Sequence, residues 1–150
     1  MDLNFLPSWL ERLVSARARQ KAVDLRISDK ALALRRTVAA SFEDWPTGLN
    51  KLDDLTTWAS KLLLGFPVTE KALTEIVELR PDASRRVERM VGTVRDEYYA
   101  AADVINRLFK GGGLSIDANN RQAIEAELRK VEAHARQCLT ALEALSRGGV

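Results

Sequence analysis

The sequence predicts an all-α protein, an elongated antiparallel bundle of four to five helices with a long C-terminal helical hairpin. Three observations lead there. Apolar residues recur in steps of four and three through residues 84–146, no stretch alternates apolar with polar residues as a strand does, and turns bearing glycine or proline divide the periodic segments. With 150 residues, 46% hydrophobic and 29% charged, the chain fits one domain spanning residues 1–150, large enough to bury a core without disulfides or a structural metal.

Taking the elements in order, Pro7-Ser8 marks a helix start, followed by the apolar cluster Trp9, Leu10, Leu13 and Val14. A sparser apolar line continues through Ala16, Val23, Ile27, Ala31, Leu34 and Val38, interrupted by Gln20. Ser28-Asp29 is a second place where a helix can start, so the spacing fits one helix over residues 8–41 or two joined near residue 27. Asp44-Trp45-Pro46-Thr47-Gly48 reads as a turn. A helix over about 48–64 then carries Leu49, Leu52, Leu55, Ala59 and Leu62 and is expected to stop at Gly65, before Pro67. Thr69 is the expected cap of a further short helix that Pro81 ends.

The third long segment places Val87, Val91, Val94, Tyr98, Ala101, Ile105 and Leu108 along one side, and the last repeats the pattern with Ile124, Leu128, Val131, Ala135, Cys138, Leu142 and Leu145. A seam of that kind on a helix requires cover by another helix. The run Gly111-Gly112-Gly113 between them makes the two segments antiparallel neighbours, with Ser115 or Asp117 capping the last.

Charge is unevenly distributed. Residues 1–41 hold eight Lys/Arg against four Asp/Glu, whereas residues 42–79 hold three against seven. Arg12, Arg19 and Arg26 recur every seven residues, with Lys30 one turn further on, so they project from nearly one side of the first helix. Arg85, Arg86 and Arg89 open the third long helix, where cations oppose the helix dipole. Both groups are candidate contacts to a nucleic-acid backbone, which attracts such cations through counterion release and needs no base-specific groups. Phe5, Leu6, Trp9 and Leu10 form an apolar end ahead of the basic stretch. They are candidates for docking on a partner protein, for folding back on the bundle or for lying on an anionic membrane.

The lone cysteine falls on the last helix's seam and forms no internal bridge, which points to a reducing, cytoplasmic setting, and no apolar run approaches a membrane span. His134 and Cys138 lie one turn apart, but no second histidine or cysteine exists to complete a tetrahedral metal site, so neither metal nor cofactor is expected.

Arg129-Lys130-Val131-Glu132-Ala133-His134 resembles the Arg-x4-His pattern of the HEPN ribonuclease family, helical bundles of about this length. The resemblance implies that Arg129 would stabilise charge at a scissile phosphate while His134 acts on a proton, commonly across a dimer. It covers two residues, and Lys130 departs from the smaller polar residue usual after that arginine. In size, helicity and scattered basic faces the chain is also similar to the small helical subunits of CRISPR effector complexes. The expectation that follows is a non-enzymatic subunit of a larger assembly that contacts a nucleic-acid backbone through arginine-bearing faces. Two alternatives stand beside it: a protein-binding adaptor that meets an acidic partner or a second copy of itself, and the HEPN-like nuclease.

Overall fold

The computed structural model describes residues 8–43, 45, 55–79, 85–110 and 116–147. They form four helices: α1 (Ser8–Ser41), α2 (Leu55–Glu78), α3 (Arg85–Leu108) and α4 (Arg121–Ser146). Each packs against two neighbours in the cyclic order α1, α2, α3, α4. The side-chain contacts fix the directions. Lys30 reaches Glu75 while Ser41 lies against Gly65; Arg95 reaches Glu70 while Tyr98 reaches Leu62. Between α3 and α4, Glu97 meets His134 and Val94 meets Cys138; between the α1 end and α4, Arg35 meets Glu143 and Trp45 meets Leu128. In every pair one number rises as the other falls, so each helix is antiparallel to both neighbours.

The α3 and α4 seams are buried as their spacing predicts, Leu108 alone being half-buried. Between Ser28 and Asp29, α1 does not break: it is one helix of 34 residues, ~50 Å long against ~36–39 Å for the others.

The sequence expectation fails at α2. A single helix runs through Gly65 and contains Pro67, where two helices were expected. The buried positions explain it. Leu55, Ala59, Leu62, Thr69, Leu73 and Ile76, with the half-buried Phe66 between, continue the four-three step without interruption. Pro67 is exposed, so its ring and its missing N–H fall on the outer side of α2 and leave the seam intact. Thr69, expected at a helix start, is buried in that seam. The expected starts near Gly48 and Ser84, Pro81 and the glycine run lie outside the described residues. Before α4, the Asp117 carboxylate accepts the N–H groups of Asn119 and Asn120, and the Asn120 side chain accepts that of Asp117.

One apolar cluster draws on all four helices. At its α1–α2–α3 corner sits a polar node. The Tyr98 hydroxyl donates to the Leu62 carbonyl at 2.7 Å, and the Tyr98 ring meets Phe42 and Phe66 at centroid separations of 5.9 and 5.6 Å. Gly65 leaves room for that hydroxyl: a Cβ there would lie 2.5 Å from it. Burial raises the phenol's pKa, partly opposed by the adjacent Ser41 hydroxyl.

Candidate interaction surface

The four-three seam of α1 does not end where the bundle does. It runs back from Val38, Leu34, Ala31 and Ile27 through Val23, Gln20, Ala16 and Leu13 to Trp9. From Ile27 onward these positions are buried, and Val23 is half-buried; every residue from Glu11 to Ala22 is exposed. Trp9 keeps 65% of its surface accessible and Val14 60%, values at which neither contributes to this chain's core. The first fifteen described residues of α1 are therefore an arm ~22 Å long that projects past the end of the bundle.

The structure also divides the basic row. Where α1 is inside the bundle its cations are used: Lys30 pairs with Glu75 at 3.3 Å and Arg35 lies 3.9 Å from Glu143. On the arm and at its base, Arg12, Arg17, Lys21 and Arg26 have no ion pair among the described residues, and Arg19 donates only to the Ser15 carbonyl. Of the expected docking cluster, Trp9 is exposed and Leu10 half-buried; Phe5 and Leu6 lie outside the described residues.

Arg85 and Arg89 are exposed on the outer side of α3, while Arg86 is half-buried and has a partner. Because α3 runs parallel to α1, this group sits at the same end of the bundle as Arg26 and Lys30. The two helices are diagonal to one another, so the structure brings both basic groups to one end but not onto one face.

A second exposed surface went unnoticed in the sequence. Leu64 and Val68 on α2 are 76% and 56% exposed, and Tyr99 of α3 packs its ring edge-on against Phe66 at 6.0 Å while remaining exposed. An open depression of about 620 Å³ also lies on α2, lined by Phe66, Pro67, Glu70, Lys71, Thr74, Glu75 and Glu78. The signal available was phase. Leu64 and Val68 fall off the seam of Leu62 and Thr69, but the run Leu62-Leu63-Leu64 hides which leucine is in register.

Arg129 and His134 are five residues apart on α4, about 140° around the helix axis, so they project from different sides. Arg129 is exposed, whereas His134 is half-buried with its Nδ1 2.5 Å from the Glu97 carboxylate of α3. One turn on, the Cys138 thiol donates to the Val94 carbonyl at 3.5 Å, and burial together with the Glu97 charge pushes its pKa up to about 12. These groups clasp α3 to α4. Among the described residues no three His, Cys, Asp or Glu side chains gather as a metal site would require, and no helix is long and apolar enough to cross a membrane. Comparison with protein-family models, curated proteins and solved structures finds no match.

Proposed function

We propose that this protein is a non-enzymatic helical subunit held in a larger assembly by the projecting arm of α1. The observation that carries this reading is the exposed continuation of the core seam through Leu13 to Trp9, flanked by cations that have no ion pair among the described residues. A heptad-spaced apolar stripe on a helix is stable in water chiefly when another surface covers it, and burying a side chain such as Leu13 or Trp9 contributes about 1.5–3 kcal/mol. Arg12, Arg17, Arg19 and Lys21 beside the stripe favour an acidic surface as that cover.

A second reading, contact with a nucleic-acid backbone, draws on the row of Arg12, Arg19 and Arg26 and on Arg85 and Arg89 at the same end of the bundle. A phosphate backbone makes use of those cations but not of Trp9 and Leu13, which is why docking on protein comes first. Purification of the tagged protein from its source cells tests both readings. Docking predicts a stoichiometric protein partner, this chain included, that Trp9→Ser/Leu13→Ser releases. Backbone contact predicts co-purifying nucleic acid that Arg12→Gln/Arg19→Gln/Arg26→Gln releases and that is stripped between about 50 and 200 mM salt. A wild-type protein that elutes alone, as a monomer and free of nucleic acid, overturns both.

A further inference from the structure

Given the docking role just proposed, the arm requires a cover from outside the copy that bears it. Within one copy the described helices leave the arm exposed from Glu11 to Ala22, because α1 is antiparallel to α2 and leaves the bundle past the α2 C-terminal end, where Lys30 meets Glu75. Pairing of two arms is opposed by charge, since residues 8–22 hold four cations and the single acid Glu11.

The outer side of α2 is the complement in both chemistry and length. Its residues 64–78 span ~22 Å, as the arm does. Along both helices the apolar part comes first and the charged part second. The arm has Trp9 and Leu13 and then Arg17, Arg19 and Lys21; α2 has Leu64 and Val68 and then Glu70, Glu75 and Glu78. Glu70 and Glu75 already hold Arg95 and Lys30, and Lys71 lies among them, so Glu78 is the acid with no ion pair among the described residues.

We propose that the arm of one copy lies along the outer face of α2 in a second copy, the two helices parallel, with Trp9 over Leu64 and Val68 and Lys21 near Glu78. The direction agrees with a closed exchange. An arm that enters from the end bearing Glu78 reaches Leu64 with its tip, and it then runs antiparallel to the second copy's α1. A two-fold axis across the junction relates two such copies, so each arm is covered by the other molecule and assembly stops at the dimer.

Sedimentation equilibrium at micromolar concentration is the first test, with a dimer expected for the wild type. Trp9→Ser/Leu13→Ser and Leu64→Ser/Val68→Ser should each raise the dissociation constant at least tenfold, although they change opposite halves of the contact. Glu78→Arg should weaken the dimer and Lys21→Glu should restore it. Orientation is read by oxidative cross-linking, with Cys138 buried and silent: Trp9→Cys with Leu64→Cys gives an intermolecular disulfide, and Trp9→Cys with Glu78→Cys does not. A monomeric wild type overturns the second copy as occupant; if that monomer still carries another protein through Trp9 and Leu13, the docking role survives without it. A dimer that loses affinity with the arm variant but not with the α2 variant means that arms pair with arms, and also overturns the proposal.

Discussion

Two helix-interior glycines offer a controlled test of the packing at the bundle's polar node. Gly92 of α3 has nothing within 4 Å of the place a Cβ would occupy, whereas at Gly65 of α2 that atom would lie 2.5 Å from the Tyr98 hydroxyl and 2.9 Å from the Ser41 hydroxyl. Gly92→Ala should therefore return only the helix-propensity gain, about 0.5–1 kcal/mol. Gly65→Ala carries the same gain, but against it stand two costs. The Ser41 hydroxyl is held by the Thr37 carbonyl at 3.2 Å and the Tyr98 ring lies between Phe42 and Phe66, so relief of the clash requires Tyr98 to move and give up its bond to the Leu62 carbonyl. Overpacking costs about 1–3 kcal/mol and a lost buried hydrogen bond about 1–3 kcal/mol, which against the propensity gain leaves a net destabilisation of about 1–5 kcal/mol. For a chain of this size that is a fall in Tm of roughly 2–20 °C, against a rise of roughly 1–4 °C for Gly92→Ala. Thermal unfolding followed by circular dichroism at one fixed protein concentration measures both. Adding Tyr98→Phe to Gly65→Ala removes the clashing hydroxyl and should recover at least about 1 kcal/mol relative to the sum of the single changes. Equal stabilisation by the two alanines would refute the close approach of Tyr98 to α2.

Pro67→Ala restores an N–H to the middle of α2 and should raise stability by about 1–3 kcal/mol in urea titration; a loss would mean that the proline sets a bend the core needs. Cys138 makes stability depend on alkaline pH: its folded pKa is pushed from 9.0 to about 12, so the folded thiol keeps its proton where the unfolded one ionises. The stabilisation is complete below pH 9 and falls by about 1.4 kcal/mol per pH unit as pH rises towards 12, with Tyr98 contributing in the same direction at higher pH. Urea midpoints at pH 8, 9.5 and 10.5 should accordingly fall less steeply in Cys138→Ala than in the wild type, and parallel slopes would contradict the burial of the thiol. The interhelical pairs Lys30–Glu75 and Arg95–Glu70 are more than a third exposed, so Lys30→Met and Arg95→Met should each change stability by less than about 1 kcal/mol; a loss above 2 kcal/mol in either would give that pair a structural role the geometry does not.

Helices α3 and α4 were legible because their step of four and three is unbroken, and periodicity over seven positions outweighs any single residue. The same step runs through α2, but Gly65 and Pro67 are strong local breakers and Thr69 looks like a cap, so local chemistry pointed to two short helices. Proline and glycine together disfavour the helix by about 4 kcal/mol, while each buried leucine or isoleucine of the seam contributes about 1.5–3 kcal/mol, and Leu55, Leu62, Leu73 and Ile76 suffice to reverse the balance. The basic row from Arg12 to Lys30 was visible as spacing; which members are committed was not. Lys30 is tied by Glu75, 45 residues away, a pairing that only the packing of α1 on α2 creates. Exposure of Trp9 was open for the same reason: the sequence shows an apolar stripe, and only the lengths of the neighbouring helices show that α2, α3 and α4 end short of it.

Since α1 passes from the packed bundle into the arm without a break, the rotational phase of the arm is locked to the core. Fifteen residues alone would be a marginal helix in water, but here the turn from Val23 onward supplies the nucleus, and the tip is presented as a rod already wound. One residue inserted between Gln20 and Val23 would swing Trp9 and Leu13 about 100° around the axis while leaving the four-helix core untouched, whereas seven inserted residues would bring them back to within about 20° and carry them ~10 Å further out. Insertions in this stretch thus act as a dial on the direction and reach of the contact, separable from the stability of the domain that holds it.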